Sequence, residues 1–152
     1  MAVHYFDKYA QAGNQLLAQL AEEIGEPENI KKTERILKTV LHTLRDRLTL
    51  QESFQLMAQF PLFLKGIYAS EWKYRDQPMR IRHVEEFMGQ LSLRDQSAEK
   101  DFVNTERATF LVQKVLKVVG QYGSSGEWKD ILDNLPEELH PLVSPALTAR
   151  AE

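Results

Sequence analysis

The apolar positions of this chain recur at helical spacing almost throughout, and much of the pattern occurs twice. Leu16, Leu17, Leu20 and Ile24 form one face of a first helix over Tyr5–Ile24, which Gly25 ends. Pro27, between Glu26 and Glu28, suits the first turn of a second helix running to about Leu48. Its stripe of Ile36, Leu37, Val40, Leu41, Leu44 and Leu48 is the clearest amphipathic signal in the chain. Thr49 and Glu52 fit a capping box, so a short helix follows to Gln59. Pro61 lacks the N–H that continuation needs. The chain therefore breaks there and restarts as a helix carrying Leu62–Tyr68 and ending near Trp72. A polar connection, Lys73–Arg80, contains Pro78.

The rest of the chain reads in the same order. Arg82–Leu91 is a helix with Val84, Phe87, Met88 and Leu91 on one face. Ser97 to about Gly120 reads as one long helix, apolar on more of its circumference and so more deeply buried. Ser124 and Glu127 repeat the capping box, and Pro136 repeats the restart. The segment after Pro141 and Pro145 is expected to fray.

Shifted by 75 positions, Ile36–Leu64 falls on Leu111–Leu139 without a gap. Apolar meets apolar at Ile36/Leu111, Leu37/Val112, Val40/Val115, Leu41/Leu116, Leu44/Val119, Leu56/Ile131, Met57/Leu132, Phe60/Leu135 and Leu64/Leu139. The tripeptide Thr33-Glu34-Arg35 also recurs as Thr105-Glu106-Arg107, 72 positions on. That register sets Leu41 against Gln113 and ruins the apolar match, so the echo is read as chance. These patterns predict an all-α protein: a compact orthogonal bundle of about eight helices, built from two similar four-helix halves with pseudo-twofold symmetry. Residues 1–152 are expected to form a single domain, with repeat one over about 5–72 and a connection over 73–80. Repeat two covers about 81–143, and 144–152 form the frayed tail.

Composition narrows the class. With 152 residues, 43% of them hydrophobic, and only seven glycines and six prolines, the chain is long and apolar enough to fold. It has no cysteine, which removes disulfides, thiolate metal sites and a cysteine nucleophile and fits a reducing cytosol. Met1–Lys8 carries Asp7 and Lys8 and no long apolar run, unlike a secretory signal. The longest apolar stretches are far short of a membrane span. A net charge of -3 weighs against nucleic acid, whose binding rests on neutralising phosphates. The expected localisation is cytoplasmic, with no membrane contact.

Chemistry is sought where the two halves differ. His42, Arg45, Asp46 and Arg47 stand opposite Lys117, Gly120, Gln121 and Tyr122 in the shifted alignment. His42 and Asp46 lie one turn apart, close enough for a hydrogen bond that would raise the histidine pKa. Such a pair suits acid–base work or a ligand; more commonly it belongs to a surface ion network at a helix end.

The second candidate is Lys65–His83. Lys65, Lys73, Arg75, Arg80, Arg82 and His83 outnumber Glu71 and Asp76 there, with Tyr68, Trp72 and Tyr74 interleaved. Cations beside aromatic rings can hold an anionic ligand or a nucleic-acid strand. The plainer alternative is a solvated linker whose rings pack down onto the two halves.

The third, Gly120-Gln-Tyr-Gly123-Ser-Ser-Gly126, precedes a helix but follows one too, which is not the strand–loop–helix setting of a phosphate loop. Glu137-x-x-His140 has di-iron spacing in a single copy, where such sites need more carboxylates. No metal, cofactor or catalytic residue is expected.

The run Val40-Leu-His-Thr-Leu-Arg-Asp-Arg-Leu48, followed by Gln59-Phe-Pro61-Leu-Phe-Leu64-Lys-Gly66-Ile-Tyr68 with Trp72, resembles the bacterial domain-of-unknown-function family 2267. Leu135-Pro-Glu-Glu-Leu139 resembles that family's second-half ending, and the likeness covers roughly Gln15–Leu142. The chain departs from the family pattern at Ala69-Ser70 and lacks a second Arg-Asp-Arg. The resemblance implies a small cytoplasmic bacterial protein, all-helical, with no assigned activity. Two functions are expected: a non-enzymatic helical interaction or regulatory module with a protein partner or homodimer, or a binder of an anionic ligand or nucleic acid through Lys65–His83.

Overall fold

The computed structural model describes the backbone of residues 4–151 and the side chains through residue 149. Met1–Val3 and Glu152, part of the expected single domain and of the Met1–Lys8 segment, lie outside the described residues. Among the described residues the structure is all-helical, with no strand. The α-helices are α1 (Asp7–Glu23), α2 (Ile30–Arg47), α3 (Leu50–Met57), α4 (Leu62–Ala69), α5 (Val84–Arg94), α6 (Ala98–Asp101), α7 (Thr105–Val119), α8 (Ser125–Asn134) and α9 (His140–Ala151). Short 3-10 turns cover Gly120–Tyr122 and Glu137–Leu139. No helix of the described residues is long and apolar enough to cross a membrane.

Capping side chains set most helix starts. Asn29 accepts from the N–H of Lys32, so α2 begins after Pro27 rather than at it. Thr49 and Glu52 form the expected capping box at α3. Asn104 accepts from the Arg107 N–H at α7. The long helix expected over Ser97–Gly120 is therefore two. The chain breaks at Phe102–Asn104, where Val103 sits at φ 59°, a left-handed conformation that a β-branched residue adopts at a cost. At α8 only half of the expected box forms. Ser124 accepts from the Glu127 N–H, but the Ser124 N–H donates to Gln59 Oε1 (2.6 Å), and Glu127 accepts from Gln59 Nε2.

The 75-residue offset reappears in the element starts. Ile30 and Thr105, Leu50 and Ser125, and Leu62 and Glu137 each open a helix or helical turn. At all nine apolar pairs both members are buried, except that Met57 is only partly covered. One continuous apolar core draws on α1 to α9 except the short α6. α2 packs on α1, α4, α5 and α7; α7 packs on α1, α2 and α9. Each large side chain sealed in this core contributes roughly 1.5–3 kcal/mol.

Among the described residues the chain stays helical after Pro141 instead of fraying. His140–Ala151 is helical, and Leu142, Val143 and Ala146 are buried against the core. Pro141 falls in the first turn of α9, where a missing N–H leaves no bond unmade. Burial then holds the helix through Pro145. The close approach is permitted by Gly120, because a Cβ there would fall into the backbone of Ala146. Gly123 is needed likewise, since a Cβ would strike the Trp128 indole. Gly120 and Gly123 therefore serve packing, while Gly126 faces open space.

Candidate functional site

The structure joins the first two sequence candidates into one constellation. His42, Arg45 and Asp46 are buried, not on the surface, because the segment after α4 folds over them. The end of α4 leaves carbonyls with no partner inside the helix. Arg45 Nη1 donates to the Tyr68 carbonyl (2.8 Å) and the Ser70 carbonyl (2.9 Å). His42 Nε2 donates to the Ile67 carbonyl (2.8 Å), which also accepts from Ser70 Oγ. Cations suit a helix C-terminus, where the backbone dipoles point their negative ends.

Asp46 makes the buried arginine tolerable. Its carboxylate accepts from Arg45 Nε (3.0 Å) and from Arg94 Nη1 (2.7 Å), the latter reaching in from the end of α5. Burial alone would push the Asp46 carboxyl up, but the hydrogen bonds from Arg94 and Arg45 outweigh it and hold the group below its ordinary range. The pair tethers the connection as well. The Asp46 carbonyl accepts from the Met79 N–H (2.8 Å), and Arg47 Nε donates to the Ile81 carbonyl (3.0 Å).

The expected His42–Asp46 hydrogen bond is absent, because Asp46 is committed to the two arginines and His42 to Ile67. The histidine pKa is consequently lowered, not raised, chiefly by burial. The contribution of the neutral ring to stability is full above its ordinary pKa and is lost as pH falls through the folded value.

Two of the three aromatic residues pack inward, whereas Tyr74 stays 76% exposed, its hydroxyl donating to Asp76. Tyr68 is wholly buried and shares a hydrogen bond with Ser53 Oγ (2.8 Å), and burial pushes its phenol up. Trp72 packs edge-on against Tyr68 and beside Phe54, with the Arg45 guanidinium 5.3 Å from the ring centre. Of the rings interleaved in Lys65–His83, Tyr68 is buried, Trp72 half-buried and Tyr74 exposed.

Beside this network lies a cleft of about 610 Å³. Arg35, Lys38, Arg45, Lys73, Arg75 and Arg94 line it against three carboxyls, those of Asp46, Glu71 and Asp95. Lys38 pairs with Glu71 (2.6 Å), and Arg35 chelates Asp101 through two bonds of 3.0 Å. Lys73 and Arg75 are exposed at the rim, and no carboxylate of the described residues pairs with them. The same two line a smaller cleft of about 280 Å³ with Arg45 and Trp72. Arg80 and Arg82 line neither cleft. Glu71 turns the chain at φ 57°, a left-handed backbone that carries the segment from α4 back across α2.

Sequence reasoning missed Arg94, Arg35, Lys38 and Asp95. None belongs to a local motif; the fold alone brings α5 and its end against α2. A buried acid pair completes the wall. Asp95 accepts from the Ser97 N–H (2.8 Å), while its other oxygen is enclosed. Burial and the neighbouring Asp101 push the Asp95 carboxyl up to about 6, whereas Arg35 and Asp95 hold Asp101 below its ordinary range despite its burial. Elsewhere His83 Nδ1 binds Glu138 (2.7 Å) at the surface, which raises the imidazole pKa, and His140 donates to the Leu135 carbonyl (3.0 Å).

The fold and this cleft define an all-helical protein with a cation-lined recess anchored by a buried Arg–Asp–Arg network. The chain belongs to the family described as "Uncharacterized conserved protein (DUF2267)", whose model matches residues 13–142. No curated protein matches the chain.

The acid pair gives a pH prediction. A carboxyl whose folded pKa is raised favours folding while protonated and loses that contribution as pH rises through about 6. Asp95→Asn, which keeps a proton-bearing group toward Asp101, should match the wild type near pH 4.5. It should exceed it by on the order of 1 kcal/mol at pH 7.5. Urea unfolding at both pH values measures this; a variant less stable at pH 7.5 contradicts it.

Proposed function

We propose that this protein is a non-enzymatic regulatory module that binds a small anionic ligand in the cleft between α2, α5 and the segment after α4. The observation that carries the reading is charge. Six cationic side chains meet three carboxyls in one recess of a chain whose net charge is -3, and Lys73 and Arg75 are left uncompensated. A concave site with convergent, fixed polar groups is what small-ligand recognition requires. The ligand is small because Tyr68 is buried and Arg80 and Arg82 lie apart from the cleft. This favours a small anion over a nucleic-acid strand, which would draw on a longer run of stacked rings and cations.

Two related proposals complete the account. The helices α2–α4 and α7–α9 are two copies of one unit, packed about a pseudo-twofold axis. Reciprocal contacts support this: Gln59 donates to Glu127 and Asn134 donates to Glu52, and each pair is the other moved by 75 positions. Second, the protein works in the cytoplasm of a bacterium, in keeping with its lack of cysteine.

A partner-binding reading has its own observation. Phe54 (56% exposed) and Leu62 (51%) form an apolar patch with Met57, Ala58 and Gly66 on α3 and α4. Such patches serve association between copies or with a protein partner. Sedimentation at rising protein concentration should show self-association that Leu62→Glu abolishes; a monomer at every concentration removes the homodimer.

The ligand reading is tested by titrating inorganic pyrophosphate while following Trp72 fluorescence. Binding should weaken steeply between low and moderate salt. The double variant Lys73→Ala/Arg75→Ala should bind at least about tenfold more weakly with unchanged unfolding, since both side chains are exposed. Absence of binding by the wild type at low salt, or identical affinity in the double variant, refutes the proposal.

A further inference from the structure

The cleft also contains an acceptor, and that acceptor specifies what the anion must carry. His42 Nε2 lies 2.8 Å from the Ile67 carbonyl, which can only accept, so the ring proton resides on Nε2. Burial lowers the ring's pKa and so favours the neutral form. Nδ1 is then a bare lone pair. It has no partner among the described residues, and it is not one of the unpartnered atoms sealed from solvent. The residue as a whole is 5% exposed and lines the cleft, so the lone pair opens into it. A ring fixed this firmly cannot turn to present a donor instead, because that would strip the Ile67 carbonyl of its imidazole partner.

We propose that the cleft takes an oxyanion that still carries a proton, with orthophosphate the simplest member. Lys73 and Arg75 receive its charged oxygens, and His42 Nδ1 accepts from its P–OH. The inference rests on the anion-binding reading above and sharpens it to a ligand class. Sulfate is the natural counterexample. It matches orthophosphate in shape, but at neutral pH it has no proton to give. Its oxygen would then face the imidazole lone pair without a hydrogen between them. Sites with a buried polar group to satisfy reject analogues that leave it unpaired far more strongly than apolar pockets reject a size mismatch.

The test compares inorganic phosphate, sulfate and glycerol phosphate at pH 6 and matched ionic strength. Affinity is measured by calorimetry, and the His42 Nδ1 resonance is followed by nitrogen NMR. At that pH a phosphomonoester is about half protonated. Phosphate should bind at least about tenfold more tightly than sulfate, with Nδ1 moving as its lone pair accepts a hydrogen bond. Glycerol phosphate binding as well as phosphate supports the proposal and points to an organic phosphate; phosphate alone supports it and points to the free ion. Equal affinity for phosphate and sulfate overturns the proton-bearing class and leaves the anion cleft standing. An Nδ1 signal unmoved at saturating phosphate overturns it whatever the affinities. Failure of all three anions to bind overturns this inference together with the anion-binding reading.

Discussion

A buried arginine at the end of a helix organises the first half of this protein. Arg45 sits 3% exposed between α2 and the C-terminus of α4, with two carbonyls on one side and Asp46 on the other. A lone guanidinium so enclosed would be costly to desolvate. Its fixed partners offset that cost, and they form only if the chain stops being helical after Ala69 and turns back at Glu71. The same turn lays Trp72 over the guanidinium and carries Lys73 and Arg75 to the mouth of the cleft. Arg94 then binds the far oxygen of Asp46 and ties α5 to α2. The recess is the space left between elements that these bonds hold together.

The position 75 residues further along the chain from Arg45 carries no charge. Position 120, the offset equivalent of Arg45, is glycine. With no side chain to accommodate, α9 closes directly onto Gly120 through Ala146 and continues as helix where α4 had ended. Other positions 75 apart also carry different buried side chains. Ser53 and Tyr68 on one side correspond to Trp128 and Val143 on the other, all buried.

Much of the fold is legible in the sequence, because it depends on local and periodic signals. The stripe from Ile36 to Leu48, the cap at Thr49 and the break at Pro61 are each readable within a few residues, and each lies where the pattern places it. The errors come from competing local chemistry or from tertiary burial. Asn104 caps a new helix inside the segment read as one long helix, Gln59 takes over half of the second capping box, and burial of Val143 and Ala146 overrides the prolines near the C-terminus. The site was legible only as an asymmetry: residues 42–47 and 68–83 stand out because the second half lacks them. That His42 and Arg45 bind backbone carbonyls, and that Arg94 and Asp95 join them, follows from long-range packing with no sequence periodicity.

The Arg45 network holds the segment after α4 in place and thereby makes the cleft. Native-state hydrogen exchange on Arg45→Met tests it most directly. Methionine keeps apolar bulk near the site but cannot bond the Tyr68 and Ser70 carbonyls. In the variant the Met79 amide, which donates to the Asp46 carbonyl in the native structure, should lose its protection along with the amides at the end of α4. Amides of α7 and α9 should keep theirs. Retained protection at Met79, or an equal loss throughout the chain, would contradict the account.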